Sequence, residues 1–291
     1  MEIINKIDAY LLIGRFYGNF FSAYSFTNEN IGAYLQFFDL KGKSLLTVGS
    51  SGDQAINASL AGCRDITICD ICPLTKYFYY LKVAALLNLS REEFIKFLNI
   101  RYIPAFKNNN PYFFNKKTYD RIKSTLKWLD IESFLVWEYI IKKYESNDIL
   151  KLFKDDLESV DIAYNCNNYL KSEENYNKTR DAIINTLVNF INMDISLLKN
   201  NKLYDNIWLS NVAQYLRSEA IDSLFENTGK NLNPDGKAIL YYSWHIGRIF
   251  INGIPIERFT NLPYDKVEIP GILKLTDENT FAIYTKSIIK K

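Results

Sequence analysis

Apolar residues in the first third of the chain fall into short continuous runs separated by stretches with helical spacing. The runs Ser44–Val48 and Asp65–Asp70 are short and rich in β-branched or apolar residues, which predicts two buried strands. Gln54–Ala61 lies between them and is predicted to be a short helix closed by Gly62. This order predicts a βαβ unit, in which the two strands are parallel.

The same alternation continues through most of the chain. Pro73–Asn88 carries apolar residues at helical spacing and begins with a proline, as helices often do. The further elements predicted are a helix near Ser172–Thr186, strands Leu187–Asp194 and Tyr204–Asn211, helix Val212–Thr228, turn Asn233–Gly236, strand Lys237–Ser243 and terminal strand Asn279–Lys286, paired with a less regular strand before it. The order predicts an α/β fold with a doubly wound, Rossmann-like, mostly parallel sheet and an antiparallel terminal strand.

A helical segment interrupts this alternation. Residues 98–170 are predicted to contain a polar, aromatic loop at Lys107–Asn115 and then helices Tyr119–Trp128, Ile131–Tyr144 and Ile149–Val160. Such an insertion either covers an active site or only extends the core. We expect an N-terminal helical segment at 1–40, a cofactor-binding domain at 41–97 and 171–291, and the insertion at 98–170.

The turn after the first strand and the acid that ends the second strand indicate a nucleoside cofactor. Gly49, Ser50, Ser51, Gly52 and Asp53 follow the first strand, where small residues let a ligand approach the backbone, and Asp70 ends the second strand. A carboxylate at that position can accept hydrogen bonds from both ribose hydroxyls. The alternative is structural: a tight turn of small residues, with Asp70 capping the next element.

The composition of the turn favours one nucleoside cofactor over another. A dinucleotide site needs three glycines at fixed spacing, and Ser51 and Asp53 stand at the second and third positions. A negative charge on Asp53 would repel phosphate and attract the amino group or sulfonium of S-adenosylmethionine. We therefore predict S-adenosylmethionine rather than NAD.

Five sequence stretches resemble a known family. They are Leu46–Ala55 (LTVGSSGDQA), Ile68–Pro73 (ICDICP), Leu81–Ala85 (LKVAA), Leu89–Phe94 (LSREEF) and Tyr204–Leu216. In these the chain resembles the S-adenosylmethionine:diacylglycerol 3-amino-3-carboxypropyltransferase family of betaine-lipid synthesis. The resemblance covers roughly 25–97 and 172–245 and implies a class I methyltransferase fold that binds S-adenosylmethionine. The chain is shorter than expected for that family, and its middle segment has no match there.

The resemblance implies roles for individual residues. The methionine part of the cofactor would be lined by Gly49, Ser50, Ser51 and Gly52, and the ribose would be held by Asp70. At the adenine, Ile71 would lie against the ring, Asp194 would accept a hydrogen bond from the amino group, and Ile195 would offer its backbone. The reacting carbon would be faced by Ser210 and Asn211. For Asp194 the alternative is a helix N-cap, and for Asn211 it is a cap at the strand end. No catalytic base is assigned.

The sulfonium leaves two chemistries open, because all carbons bonded to its sulfur are electrophilic. The resemblance implies 3-amino-3-carboxypropyl transfer to a small-molecule or lipid-like acceptor, and methyl transfer to a small molecule is the alternative. A non-catalytic binder and an NAD-dependent oxidoreductase are further alternatives, of which the second is opposed by Asp53 and the missing glycines. Tyr24, Asn28 and Glu29 precede the first strand, where a segment can close over the cofactor.

Composition excludes few partners. The 291 residues carry a net charge of +2, which gives no electrostatic argument for nucleic acid as a partner. No run reaches the ~20 apolar residues of a membrane-spanning helix. With no signal peptide and four cysteines expected to be reduced, we predict a cytoplasmic protein of open oligomeric state.

Cys69 and Cys72 form a C-x-x-C pair, and His245 is the single histidine. A zinc or redox site is the alternative to simple packing for the cysteines, but the chain has no second such pair to complete a zinc site. No metal is therefore expected. His245 follows the Lys237–Ser243 strand and is either a general base or structural.

Overall fold

The protein is described by a computed structural model that covers residues 2–13, 18–27, 29–98, 116–154, 160–199, 202–244, 250–251, 254–255, 265–269 and 278–285, with the backbone alone from 241 onward. The chain divides into two compact units. The first, which we call the helical unit, comprises Met1–Asn28, Gly49–Ile56 and Ile71–Ile184. The second, the sheet unit, comprises Glu29–Val48, Asn57–Asp70 and Asn185–Lys291.

The described strands are β1 Ala23–Tyr24, β2 Ser44–Val48, β3 Asp65–Asp70, β4 Phe153–Lys154, β5 Leu187–Asn192, β6 Tyr204–Ser210, β7 Leu232–Trp244, β8 Phe250–Ile251, β9 Ile254–Pro255, β10 Asp265–Ile269 and β11 Glu278–Thr285. The described α-helices are α1 Glu2–Ile13, α2 Ile31–Tyr34, α3 Asp53–Leu60, α4 Leu74–Asn88, α5 Arg91–Leu98, α6 Lys116–Leu129, α7 Ile131–Lys143, α8 Ser146–Ile149, α9 Val160–Cys166, α10 Glu173–Ile183 and α11 Ser218–Asn231. Short 3-10 helices include Leu150–Leu152, Asn168–Leu170, Ile195–Leu197 and Val212–Tyr215.

The sheet unit contains a sheet of seven described strands in the order β10-β11-β7-β6-β2-β3-β5. Strands β7, β6, β2, β3 and β5 are parallel to one another, whereas β11 is antiparallel to both β7 and β10. After β2 the chain adds β3 and β5 on one side and then β6 and β7 on the other, so the strand order reverses at β2. This confirms the predicted α/β fold with its mostly parallel sheet and antiparallel terminal strand.

The core of the sheet unit forms because its central strands β2, β3 and β6 are short runs of buried residues, as is typical of parallel strands that are covered on both faces. Leu46 on β2, Ile207 and Leu209 on β6 and Leu240 on β7 belong to one buried cluster with Leu224 of α11. Each buried side chain of this size stabilises the fold by about 1.5–3 kcal/mol relative to exposure. The cluster therefore fixes the central strands, and with them the ends of those strands.

Strand β7 begins earlier than the sequence predicts. The turn predicted at Asn233–Gly236 is wrong: Tyr204 pairs with Leu232 and Asn206 with Lys237, so the residues between them form a bulge within β7. A Cβ on Gly236 would lie 2.8 Å from Leu232 Cγ and 2.9 Å from the Asp205 carbonyl oxygen, so only glycine fits there. Pro234 and Gly236 do mark an irregularity in the strand, but the chain does not reverse its direction there as it would in a turn.

Two predicted helices also need correction. The predicted helix Val212–Thr228 is a 3-10 helix at Val212–Tyr215 followed by α11, which begins at Ser218. The predicted helix Ile149–Val160 is wrong in its described part, because α8 ends at Ile149 and Phe153 lies in β4. Phe153 leaves the helical path because it pairs with Ala23 and its ring stacks on Trp137 at 6.0 Å. The loop predicted at Lys107–Asn115 lies outside the described residues.

The helical unit is organised around α4, which is buried on most sides. Its buried residues include Leu74, Tyr77, Phe78, Leu81 and Ala85. Trp137 of α7 donates its Nε1–H to the Tyr77 carbonyl oxygen at 2.9 Å, which satisfies the one polar atom of a fully buried indole. None of the described helices is long and apolar enough to cross a membrane.

A surface ion pair between α5 and α6 gives a test of pH dependence. Arg121 binds Glu93 in a bidentate manner, with N···O distances of 2.8 and 3.0 Å, and holds the pKa of Glu93 at about 2. A lowered carboxyl pKa stabilises the fold above the unfolded pKa of 4.5 and loses that contribution as the pH falls towards 2. Replacing Arg121 by methionine should therefore lower stability at pH 7 by less than ~1 kcal/mol, because the pair is partly exposed.

Denaturant titrations of both proteins at pH 7, 4 and 2 check this expectation. The difference in stability between wild type and Arg121→Met should shrink between pH 4 and pH 2. A difference that stays constant down to pH 2 would assign the effect to the aliphatic part of Arg121 instead.

Candidate functional site

The carboxyl ends of β2, β3, β5 and β6 lie at one edge of the sheet, because these strands are parallel. Val48 pairs with Cys69, and Asp70 pairs with Asn192, so the ends of β2, β3 and β5 are level. Strand β6 lies on the other side of β2, at the point where the strand order reverses. Open α/β sheets bind ligands at the carboxyl ends of their strands, next to such a reversal.

Asp70 is the last residue of β3 and is partly exposed. Its backbone carbonyl oxygen accepts a hydrogen bond from Asn192 Nδ2 at 2.8 Å, which ties the ends of β3 and β5 together. Ile71, the next residue in the chain, is 37% exposed although it is a large apolar side chain. The structure thus leaves an acid, followed by an accessible apolar side chain, after the second strand of the βαβ unit.

Asp194 caps a short helix. One carboxylate oxygen, Oδ1, accepts the backbone N–H of Ser196 at 2.8 Å, at the start of the 3-10 helix Ile195–Leu197. The N-cap alternative is therefore confirmed. Ile195 is buried in the apolar cluster of the sheet unit, so its side chain is engaged in the core.

Ser210 ends β6 in an unusual backbone conformation. Its φ of +53° lies in the left-handed region, which is uncommon for residues other than glycine. Its hydroxyl donates a hydrogen bond to the carboxylate of Glu29, which is buried. Strained residues of this kind cluster at functional sites. Asn211 stands at the N-cap position of the next 3-10 helix, but its side chain makes no capping hydrogen bond.

The turn Gly49–Gly52 belongs to the helical unit and follows β2 directly in the chain. The Gly52 N–H donates to the Gly49 carbonyl oxygen at 2.7 Å, which closes the turn. Two of its residues lie in the left-handed region, Ser50 at φ +46° and Gly52 at φ +77°. Holding a serine there costs about 1–2 kcal/mol, a cost that the surrounding structure offsets.

Replacing Gly52 by alanine should destabilise the protein more than an ordinary left-handed glycine would. A Cβ on Gly52 would meet Tyr79 Cδ2 at 3.0 Å, in addition to the ~1–2 kcal/mol backbone cost. Gly42, at φ +71° with nothing within 4 Å of a Cβ, is the matched control. We expect Gly52→Ala to lower the thermal midpoint further than Gly42→Ala; equal shifts would mean that Tyr79 yields without cost.

Asp53 is fully buried and its carboxylate binds several groups of the helical unit. Oδ1 accepts from Lys82 Nζ at 2.5 Å and from the Tyr169 hydroxyl at 2.8 Å. Oδ2 accepts from the Thr27 N–H at 2.7 Å and the Ser51 hydroxyl at 3.0 Å. The prediction that Asp53 offers its charge to a cationic ligand is therefore wrong, because Lys82 compensates that charge internally.

Lys82 is the other half of this buried pair. Besides Asp53, its ammonium donates to the carbonyl oxygens of Ser25 at 2.7 Å and Ser51 at 3.1 Å, so three acceptors match its three N–H bonds. Burial lowers the pKa of Lys82, and the Asp53 carboxylate opposes this shift. Burial, together with Asp53, raises the pKa of Tyr169. The sequence does not reveal the roles of these two residues: Lys82 lies in the LKVAA stretch, where nothing marks it as the partner of Asp53, and Tyr169 lies in no motif.

The pairing also changes the argument against a dinucleotide. A compensated Asp53 no longer repels phosphate strongly, so the case against NAD rests on the missing glycines alone.

The cysteines of the C-x-x-C pair are buried. Burial raises the pKa of Cys69 to about 12, and its thiol donates to the Met193 carbonyl oxygen at 3.5 Å. Cys72 donates to the Phe21 carbonyl oxygen at 3.2 Å. Within the parts of the chain that the structure describes, no three His, Cys, Asp or Glu side chains are grouped to hold a metal ion. His245 lies outside the described residues.

Comparisons with known proteins give only distant similarity. No protein-family model and no curated protein sequence matches the chain, so these two comparisons do not support the specific resemblance to the betaine-lipid family. Among solved structures, the N-methyltransferase NodS from Bradyrhizobium japonicum WM9, in complex with S-adenosyl-L-homocysteine, is 10% identical, with 87% of this chain and 85% of that chain covered and a TM-score of 0.43.

Two further structures are similar to the same degree. The glycopeptide N-methyltransferase MtfA, complexed with S-adenosyl-L-homocysteine, is 9% identical over 91% of this chain and 92% of that chain, with a TM-score of 0.44. The magnesium protoporphyrin IX methyltransferase ChlM from Synechocystis PCC 6803, with bound SAM, is 8% identical over 87% and 74%, with a TM-score of 0.40. Similarity of this degree does not establish an activity, so the assignment of function depends on the chain's own residues.

Proposed function

We propose that the protein is an S-adenosylmethionine-dependent transferase. One observation carries the proposal: β2 leads into a turn with two left-handed residues, and the paired strand β3 ends on the partly exposed Asp70, beside the reversal of strand order. This is the arrangement in which open α/β sheets bind nucleoside cofactors. The residues at this position fit such a cofactor, since they offer the backbone groups of the turn, an acid that can bind a ribose and an accessible apolar side chain.

The proposed roles follow the sequence, with one change. Asp70 binds the ribose hydroxyls and Ile71 lies against the adenine. Asp194 accepts from the adenine amino group through lone pairs that its cap leaves over, and Ile195 offers its backbone to the ring. The turn residues Gly49, Ser50, Ser51 and Gly52 bind the methionine part, and Ser210 and Asn211 face the reacting carbon. Asp53 is reassigned from ligand contact to positioning of the turn, because its carboxylate is fully engaged by protein groups.

The group transferred is proposed to be 3-amino-3-carboxypropyl, on the strength of the sequence resemblance. When bound, the cofactor supplies an electrophilic carbon next to a positively charged sulfur. The turn Gly49–Gly52 and Asp70 would hold this cofactor, which would supply its 3-amino-3-carboxypropyl carbon to the acceptor's lone pair, with methylthioadenosine as the leaving group and the acceptor's proton released to solvent or a base. The chain's part is to bind and align the two reactants, which by itself supplies a large share of the rate.

The acceptor is proposed to be a small or lipid-like molecule. Methyl transfer is the alternative reaction, since an acceptor aligned with the bond between the methyl carbon and the sulfur would take the methyl group of the same cofactor instead. The two reactions leave different products, so one experiment separates them.

That experiment is calorimetric titration with S-adenosylmethionine, followed by mass spectrometry of products formed with candidate acceptors. Methylthioadenosine supports aminocarboxypropyl transfer, and S-adenosylhomocysteine overturns it in favour of methyl transfer. Binding with neither product, across polar and lipid-like acceptors, indicates a non-catalytic binding protein. No binding, alongside a positive titration with NAD, would overturn the whole assignment.

A further inference from the structure

Three large apolar side chains are exposed where helices α6 and α7 of the helical unit meet. Trp128 of α6 is 70% exposed, and Ile131 and Leu135 of α7 are 52% and 57% exposed. The chain between Trp128 and Ile131 is so short that their Cα atoms lie within about 11 Å, and Leu135 follows Ile131 by one helical turn on the same face. We call these three side chains the apolar corner. Clustered apolar side chains rimmed by polar residues mark interaction surfaces.

The fold holds the apolar corner in place through the other faces of the two helices. Helix α7 is fixed to α4 through the buried Trp137, and Thr125 of α6 accepts a hydrogen bond from Asn88 Nδ2 of α4 at 2.8 Å. Asp130, between the helices, accepts the Ser133 N–H at 2.9 Å and so caps α7. The apolar corner therefore faces solvent on a pair of helices that are anchored from behind.

Two lysines flank the apolar corner. Lys117 and Trp128 lie on the same face of α6, about three helical turns apart. Lys127 precedes Trp128, and its ammonium lies 5.6 Å from the centre of the Phe134 ring on α7. Both lysines are exposed, and neither forms an ion pair with a residue that the structure describes.

The acids of the two helices do not compensate these lysines. Helix α6 carries five basic residues and one acid. Each acid within α6 and α7 has another basic partner: Asp120 pairs with Lys123 at 2.5 Å, Glu132 with Lys76 at 2.6 Å and Glu138 with Lys142 at 2.9 Å. The charge next to the apolar corner is therefore positive.

The size and charge of this surface fit a lipid bilayer better than a protein partner. Stable protein–protein interfaces use about 20–30 residues on each side, and the apolar corner has three. A two-fold contact with a second copy would place the positive charges of both copies against each other. At an anionic bilayer the lysines meet lipid phosphates, while tryptophan and aliphatic side chains enter the headgroup region.

We propose that the exposed face of α6 and the start of α7 bind the surface of an anionic lipid bilayer. Trp128, Ile131 and Leu135 insert at the level of the headgroups, and Lys117 and Lys127 bind lipid phosphates. This inference goes beyond the proposed function, because it does not depend on which cofactor or acceptor the protein uses.

The test is co-sedimentation of the full chain with vesicles. One set contains equal parts of phosphatidylglycerol and phosphatidylcholine, and the other contains phosphatidylcholine alone. We expect binding to the first set only, and release at high salt, because salt screens the lysines. Trp128→Ala should lower the partition coefficient about tenfold or more, the factor for one large apolar side chain, and Lys127→Gln about fivefold.

Leu12→Ala and Lys178→Gln are the matched controls. Leu12 is 67% exposed on α1, and Lys178 is exposed on α10, so they remove the same kinds of group from other surfaces. Partitioning of both variants should equal that of the wild type. Circular dichroism checks the fold of each variant, and the exposed Lys127→Gln keeps the test available if Trp128→Ala does not fold.

The contrary outcomes are distinct. Wild-type protein that does not sediment with the phosphatidylglycerol vesicles overturns the inference, as does equal binding to the two sets. Equal partitioning of wild type, Trp128→Ala and Lys127→Gln also overturns it. Analytical ultracentrifugation without lipid tests a second copy as the occupant: wild-type dimers that Trp128→Ala converts to monomers would overturn the assignment to lipid. No cofactor is present in these experiments, so their failure leaves the proposed function standing.

Discussion

Replacing Lys82 by methionine is expected to lower the free energy of unfolding by about 3–5 kcal/mol, the range for breaking a buried ion pair from one side. The substitution leaves the Asp53 carboxylate buried without its cation, and also leaves the Ser25 and Ser51 carbonyl oxygens without their donor. Urea denaturation followed by circular dichroism measures the change.

Lys76→Met is the control for removing a lysine from the same helix. Lys76 pairs with Glu132 at 2.6 Å, but both side chains are partly exposed, so its loss should cost less than ~1 kcal/mol. Adding Asp53→Asn to Lys82→Met should restore part of the stability, because the neutral amide needs no cation. A loss for Lys82→Met no larger than that for Lys76→Met would show that the buried pair does not hold the turn.

Replacing Asp70 by alanine should weaken the binding of S-adenosylhomocysteine by more than ~1.5 kcal/mol, or roughly tenfold, the value for lost hydrogen bonds to a charged group. The side chain is partly exposed, so the variant is expected to fold. Calorimetry gives the affinity, and circular dichroism confirms the fold.

Asp65→Ala provides the comparison within the same strand. Asp65 begins β3 and pairs with Lys202 at 2.7 Å, at the amino end of the strand. Its removal should leave the affinity unchanged. If both variants bind S-adenosylhomocysteine as tightly as the wild type does, Asp70 is not part of the site.

The strands were predictable where local pattern and burial agree. The predicted strands Ser44–Val48 and Asp65–Asp70 have the same bounds as β2 and β3 in the structure, because a short apolar run bounded by polar residues is typical of a buried strand. The bulge at Asn233–Gly236 and the strand at Phe153 were missed, since each depends on a partner distant in the chain. Local propensity carries no information about such partners.

The sequence predicts which residues form the candidate site, but it does not show the partners that those residues have in the fold. Asp53 is noticeable as an acid in the turn, yet its partner Lys82 lies 29 residues away and Tyr169 lies 116 residues away. Without those partners an acid in a turn looks available to a ligand.

The burial of the four cysteines has a practical consequence. Cys63, Cys69, Cys72 and Cys166 are all buried, and burial raises the pKa of Cys63 to about 11 and that of Cys69 to about 12. Thiols of this kind form little thiolate at neutral pH and react slowly with alkylating reagents. A single cysteine introduced at the exposed Asn192, beside Asp70 at the end of β5, would therefore be the preferred point of attachment for a fluorophore. The wild-type background already suits site-specific labelling.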